Sequence, residues 1–280
     1  MTLRRKWEEK FFHGLSGLVT LIIVLVLVHL IWSIVAKGAS SLSWQVVSEA
    51  PKGTFYFGGE GGGFVNAIAG SFYLAIGATL LAFIVSLPVA LFLNIYLIRF
   101  PRVLIGCRFF LDVLWGIPSI VYGAFGFLIL MYIGSRNSLG AGILTVAALI
   151  SPIMIRAMDE VLKTIPIGLQ EASYALGSTK TETAYKIFFR EALPGLATAV
   201  LLAFGRGIGD AASVLFTAGF TDLVPHSLSD PAATLPLFIY YQLQSPSENV
   251  QNLAYAASIV LTVIVLIVSI TARLMRTHKK

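Results

Sequence analysis

Charge is scarce in this chain. Asp, Glu, Lys and Arg make up 12% of its 280 residues and 57% are hydrophobic, where a soluble domain carries roughly a quarter charged residues. A water-soluble globule is excluded, and the sequence reads as an integral membrane protein whose backbone groups are satisfied inside helices. Cysteine is nearly absent. Cys107 stands alone, which rules out an intramolecular disulfide and a thiolate cluster and leaves a packed, inert thiol. The histidines, at 13, 29, 226 and 278, do not cluster and no H-E-x-x-H occurs, so no metal site is expected. There is no G-x-x-x-x-G-K-[ST] and no Gly-Lys dipeptide, so this chain cannot itself cradle ATP phosphates. No enzyme, no catalytic residue and no cofactor is read from it.

What is present is apolar and segmented. Residues 15–36, 66–98, 109–133, 139–155, 196–218 and 253–270 are apolar runs within or above the range of about 17–25 residues that a bilayer needs. The fold class is therefore all-α, a polytopic membrane protein of six transmembrane helices. Between them lie an N-terminal segment (1–14), a polar loop (37–65), a charged stretch (156–195), a loop with four prolines and no Lys or Arg (219–252), and a basic tail (271–280). The first apolar run is too long for a signal-peptide core and reads as a retained helix, with His29 packed or interfacial.

The net charge of +6 raises the question of nucleic acid. The basic residues, however, sit at segment ends rather than along one face, so topology accounts for them and no nucleic-acid partner is expected. With both termini cytoplasmic, sixteen of the twenty Lys and Arg fall in cytoplasmic segments; only Lys37, Lys52 and Arg136 lie outside, and Arg206 lies in the membrane.

Several local features carry expectations. The glycine run Gly58-Gly59-Glu60-Gly61-Gly62-Gly63 lacks G-x-G-x-x-G spacing and reads as a flexible approach to the second helix. Pro88 is placed to kink that helix. Arg108 and Asp112, four residues apart, suit a local ion pair. In the third apolar run, Gly116, Pro118 and Ser119 interrupt the helix. Freed backbone groups are tolerated only under protein or beside a wet cavity, so the break either lines a pathway or is a packing kink.

The charged stretch sets Arg156, Lys163, Lys180, Lys186 and Arg190 against Asp159, Glu160, Glu171, Glu182 and Glu191. Ala172, Ser173, Ala175 and Gly177 allow a close backbone approach to a partner, with Tyr174 and Leu176 as anchors, and Thr179 to Glu182 has the form of a capping box. A solvated amphipathic loop is the alternative. In the fifth run, Arg206 and Asp210 stand near mid-membrane at i, i+4 among Gly205, Gly207 and Gly209. Each charge costs about 2.5–3.5 kcal/mol at a bilayer centre. They form either a structural lock to a neighbouring helix or an anion path, in which Asp210 accepts a hydrogen bond from hydrogen phosphate and repels fully ionised sulfate.

Glu171-Ala172-Ser173, followed by Gly177, Ile187 and Leu193-Pro194-Gly195, resembles the EAA signature of the membrane subunits of ABC importers. In those, a short cytoplasmic helix docks into a groove on an ATPase. The family commonly has a Pro where Arg190 stands. Gly116-Ile117-Pro118-Ser119-Ile120-Val121-Tyr122-Gly123, Gly205-Arg206-Gly207-Ile208-Gly209-Asp210 and Leu235-Pro236 with Ile239-Tyr240 look like the phosphate-specific ABC permeases, and the glycine run before Asn66-Ala67-Ile68 leans toward the A-type subunit over the C-type. The family usually has Glu where Asp210 stands. This resemblance covers about residues 60–270.

It implies the type I permease fold of ABC importers, a prokaryotic plasma (inner) membrane location, and phosphate as the solute. It further implies a homologous permease subunit as heterodimer partner, two ATP-binding subunits, an extracytoplasmic phosphate-binding protein, and alternating access. Glu171, Ala172, Ser173 and Gly177 are then the ATPase-coupling residues, and Arg206 and Asp210 the substrate path. Other oxyanions (sulfate, molybdate, phosphonate) are the alternative within transporters; a passive anion channel or a non-transporting scaffold are alternatives outside them.

Overall fold

Away from water only a helix satisfies every N–H and C=O within its own segment, and the chain is accordingly helical almost throughout. The structure, a computed structural model, describes residues 3–52 and 62–277, and no strand occurs among them. In order come α1 (Leu3–Gly38), α2 (Trp44–Ser48), α3 (Val65–Ile95), α4 (Pro101–Gly116), α5 (Ser119–Tyr132), α6 (Leu139–Lys163) and α7 (Ile167–Ala175). Then α8 (Lys180–Glu182) passes through a π-helical turn, Thr183–Phe188, into α9 (Phe189–Ile208), followed by α10 (Leu235–Gln242) and α11 (Glu248–Thr277). Among the described residues five helical runs are long and apolar enough to cross a bilayer, and α4 with α5, bent by 90°, reaches that length only as a pair.

The centre of the bundle is α3 against α6. Small buried residues, Ala78, Ala82 and Ala90 on α3 and Gly142 and Ala147 on α6, let the two backbones approach closely, the usual solution where lipid and protein are equally apolar. A Cβ at Gly142 would lie 2.8 Å from Leu74 Cδ1. Against this pair packs α9, then α11, and α1 runs along α11. The face of α1 from Leu15 to Ile31 is exposed, and His29 with it, so of the two expected settings, packed or interfacial, packing within this chain is not the one seen. Gly58 to Gly61 of the glycine run lie outside the described residues. Gly62, at φ +85, and Gly63, whose Cβ would overlap the Val46 backbone, are tightly held, so that end of the run is a packed turn.

Two expected spans differ. The third, 109–133, is two helices, because α4 begins at Pro101 and the chain is extended at Ile117 (ψ 129°) and Pro118 (ψ 139°). The fifth, 196–218, is helical only to Ile208, after which residues 209–218 form turns. Residues 219–235, expected as part of an outer loop, fold back into the bundle together with the end of the expected fifth span. Helices leave their first N–H groups without intrahelical partners. At α6, Ser138 N–H donates to Thr217 O (2.9 Å), Leu139 N–H to Asp230 O (2.7 Å) and Gly140 N–H to Leu228 O (2.8 Å). Leu235 N–H donates to Ser71 Oγ (2.7 Å), and Gly70 admits the Ala233 carbonyl against α3.

At the opposite end of α6 the dominant feature is Asp159, fully buried. Arg108 of α4 donates to both its oxygens as a fork (Nε 3.0 Å, Nη2 2.8 Å), Arg156 Nη1 lies at 2.9 Å, Lys163 Nζ at 3.0 Å and Asn94 Nδ2 of α3 at 2.9 Å. Arg156 Nε meets Asp112 of α4 at 2.6 Å. The expected Arg108–Asp112 pair is therefore replaced by two pairs across helices. An i, i+4 pair contributes only about 0.2–0.5 kcal/mol, whereas an uncompensated buried carboxylate costs several. Arg108 goes where the cost is larger.

Asp159→Ala is expected to destabilise the detergent-solubilised protein by about 3 kcal/mol, leaving Arg108 without its anion and Arg156 and Lys163 with their rim partners alone, and Asp112→Ala, at an exposed pair, by under about 1 kcal/mol. Thermal unfolding of the two variants side by side checks the order. In the loop, Asp230 Oδ2 accepts from the His226 and Ser227 N–H groups, both at 2.9 Å, and these bonds hold its carboxyl below its ordinary 3.8. A depressed pKa contributes stability that is present above the ordinary value and lost as pH falls through the folded one. Hydrogen exchange at those two amides, corrected for intrinsic rate, is expected to stay slow from neutral pH down to 3.8 and to rise only below it.

Candidate solute path and coupling surface

Where α9 ends, Arg206 and Asp210 remain paired, but not as two positions on one continuous helix. Arg206 occupies the last turn, Gly209 follows Ile208, and Asp210 lies past the helix end. Arg206 Nη1 is 3.2 Å from Asp210 Oδ1, while Asp210 Oδ2 accepts from Ser213 N–H at 2.8 Å. Asp210 thus caps the turn after α9, as an Asx side chain does at three-residue spacing. The two partners differ sharply in exposure: the Arg206 side chain is 47% exposed and that of Asp210 4%. A guanidinium carries five N–H donors in a planar fork, and among the described residues Arg206 pairs only with Asp210. The rest of the fork faces open space.

The neighbouring glycines explain how the backbone gets there. Gly207 lies against Val146 of α6, where a Cβ would come within 3.2 Å, so α9 rides close on α6 at this level. On the Arg206 face, one and two turns back, Leu202 and Thr198 line a cavity of about 580 Å³ between α9 and α6, with Val161 and Ile165 on its other wall. Ser213 Oγ is buried without a hydrogen-bond partner, and Thr217 Oγ1 donates to Ser213 O at 3.1 Å.

The interrupted segment meets this turn. At the bend the Leu114 carbonyl accepts from Ile117 N–H (3.2 Å) and from Tyr122 O–H (2.9 Å), so a side chain replaces the helix bond that Pro118 forfeits. Gly116 and Pro118 are exposed, Ser119 half-buried, and they set the bend. The residue that reaches the Arg206 region is Gly123, whose Cβ would lie 2.8 Å from both the Ala212 and Ser213 carbonyls. Gly126 stands likewise against Thr145 and Thr217. Two motifs separate in sequence share one wall, a contact that neither motif reveals alone.

The charged stretch divides in two. Its first part, Arg156 to Lys163, is still α6 and belongs to the buried cluster. Its second part presents α7, on which Glu171 and Ala172 are exposed, Tyr174 37% and Leu176 88% exposed. Ser173 differs from its neighbours: it is buried, with Oγ 2.9 Å from Thr183 Oγ1, so it braces α7 against the π-helical turn instead of facing outward. Gly177, at φ +81 with open space around it, ends α7. Ser178 N–H bonds Ser173 O (3.1 Å) and Gly177 N–H bonds Tyr174 O (3.0 Å), the paired bonds of a Schellman motif. The expected capping box is present: Thr179 Oγ1 accepts from Glu182 N–H and Glu182 Oε2 from Thr179 N–H.

Residues 86–278 match the family model of the binding-protein-dependent transport system inner membrane component. The phosphate transport system permease protein PstA of Haemophilus influenzae is 32% identical over 279 residues, 99% of this chain and 96% of that protein. The PstA of Yersinia pestis is 35% identical over 259 residues, 91% and 85% of the two chains. Among solved structures, the MetNI methionine ABC transporter in an inward-facing conformation superposes with a TM-score of 0.63 at 21% identity, over 77% of this chain and 96% of that one. A bacterial alginate ABC transporter gives 0.62 at 16% identity, over 99% and 97%. At those identities the structures speak for the fold, that of ABC importer membrane subunits. With the family model spanning well over half of the chain, this protein belongs to the inner membrane components of binding-protein-dependent transport systems.

Proposed function

We propose that this chain is the transmembrane permease subunit of an ATP-driven importer of inorganic phosphate. The observation that carries the reading is the half-exposed Arg206 fork at the broken end of an otherwise apolar helix. A planar guanidinium matches phosphate oxygens in bidentate fashion, and relatives similar along nearly the whole chain are named for phosphate transport. Asp210, almost fully buried with both oxygens engaged, acts through Arg206. It orients the fork and reduces its net charge, so that an anion binds without being trapped.

The complex contains a second, homologous permease subunit as heterodimer partner, two ATP-binding subunits at the α7 face and an extracytoplasmic phosphate-binding protein at the opposite end. ATP hydrolysis belongs to the ATP-binding subunits. The exposed bend at Gly116 to Pro118 fits such an assembly, because irregular backbone at membrane depth needs protein or a water-filled path over it. Both termini lie in the cytoplasm, following the basic residues. Glu171, Ala172 and Gly177 form the coupling surface, with Ser173 holding α7 to the π-helical turn. Closure of the ATPases displaces α7, and the solute path changes between outward- and inward-open states.

In proteoliposomes holding the whole complex, wild type is expected to take up phosphate with ATP and Arg206→Gln to lose at least about tenfold in uptake while its ATPase still copurifies. Unchanged uptake in Arg206→Gln would demote the pair to a structural lock; sulfate uptake alone would name the other oxyanion class. Asp210→Asn is expected to lower uptake with the phosphate-to-sulfate ratio unchanged, and a changed ratio would place Asp210 in contact with the solute. At Gly177 the test separates backbone from surface. Asn tolerates a left-handed φ and Val does not, so Gly177→Asn should retain the ATPase on copurification and Gly177→Val should lose it.

A further inference from the structure

Between the exposed α7 and the buried Asp159 cluster stands Tyr96, directly after the last residue of α3. Its ring stacks on Phe92 at 5.5 Å, and its hydroxyl lies 2.7 Å from Thr181 Oγ1. Lys180 Nζ sits 5.4 Å from the ring centroid. Both outside partners belong to α8, the turn that the Thr179–Glu182 capping box fixes in place. On one side of α8, Ser173 ties α7 to Thr183 of the π-helical turn. On the other, Asn94, two residues before Tyr96, donates to Asp159. Tyr96 therefore joins a unit that is exposed and hinged to a body that is buried and charge-locked.

We propose that Tyr96 is a positioning residue for energy coupling: displacement of the α7–α8 unit reaches α3, and with it the α3–α4–α6 body, through the Tyr96 contacts with Thr181 and Lys180. The inference rests on the reading of α7 as the surface that meets the ATPase. The geometry suits the task. Residues 164–166 and 176–179 are non-helical joints on either side of α7, while α8 runs on through the π-helical turn into α9, so the Tyr96 contacts brace α3 against the start of that helix beside the joint. A directional hydrogen bond combined with a cation over the ring face resists both separation and sliding. Side chains that transmit a displacement couple the sites they join, and loss of that coupling appears as uptake falling while hydrolysis is retained.

The experiment measures phosphate taken up per ATP hydrolysed by the whole complex in proteoliposomes, with ATPase copurification as the check on docking. Tyr96→Leu is expected to keep copurification and ATP hydrolysis and to lower the ratio by about fivefold or more, the low end of typical coupling between sites. Tyr96→Phe, which keeps the stack and the cation–π contact, is expected to lower it less. Lys180→Met should lower the ratio in wild type and add nothing on the Tyr96→Leu background. Should Tyr96→Leu fail to assemble, Tyr96→Phe and Thr181→Val carry the test, since they break the same hydrogen bond and their effects should be equal and non-additive. A wild-type ratio in these variants, or uptake and hydrolysis falling together in fixed proportion, would overturn the proposal. If the wild-type complex carries sulfate instead of phosphate, the same ratio is read with sulfate, so the solute assignment and the role of Tyr96 fail separately.

Discussion

A carboxylate removed from water costs several kcal/mol unless its charge and lone pairs are met, and Asp159 is fully buried. Meeting it takes Arg108 from α4, Arg156 and Lys163 from α6 itself and Asn94 from α3. Because removing any one partner exposes the rest to that cost, the three helices are bound into one body at the end of the bundle where α7 emerges. Asp112 and Glu160 complete the neutralisation at the rim. The breaks in the helices lie outside this body: the 117–118 bend before α5, the joints on either side of α7, and the turn after α9.

Each of those joints is built so that its freed backbone groups are answered locally. Tyr122 answers Leu114 at the first, the Schellman pair and capping box answer the second, and Asp210 answers Ser213 at the third. A joint satisfied by its own neighbours can bend without borrowing hydrogen bonds from the packed core. Lipid would not tolerate such irregular backbone uncovered. The bend near the proposed solute path therefore points to an assembly, since Gly116 and Pro118 have no cover among the described residues of this chain.

The sequence made the long helices legible because apolar run length is what a bilayer selects. It also made legible the capping box, the break at Gly116 and Pro118, and the pairing of Arg206 with Asp210. It misled where hydropathy stands in for backbone geometry. Residues 211–218 are apolar enough to extend the fifth span, yet the helix stops at Ile208; the signal was Asp210 with Ser213 three positions on, after alternating glycines that weaken a helix. Arg108 and Asp112 satisfied a local spacing rule, but the competing demand came from a residue 51 positions away. Periodicity held the clue, for Ile155, Asp159 and Leu162 share the buried stripe of α6. The surroundings of Ser173 and His29 were hard to read for a common reason. A small or polar residue on a helix does not declare whether its neighbour is its own chain, a partner or lipid.

The asymmetry between Arg206 and Asp210 bears on how an anion can both bind and leave. Were Arg206 alone, a multiply charged anion beside it in a low-dielectric path would gain many kcal/mol of Coulomb energy and its release would be slow. With Asp210 Oδ1 at 3.2 Å the pair is nearly neutral when seen from a distance, so long-range attraction is weak. Recognition then rests on the free N–H donors of the fork, which act only at contact. A site of this kind selects by shape and hydrogen bonding rather than by net charge, and it requires Asp210 to stay fixed while Arg206 stays open. The Ser213 N–H and the close approach of Gly123 behind it supply that fixity, which makes the turn after α9 as much a part of the proposed solute path as the arginine itself.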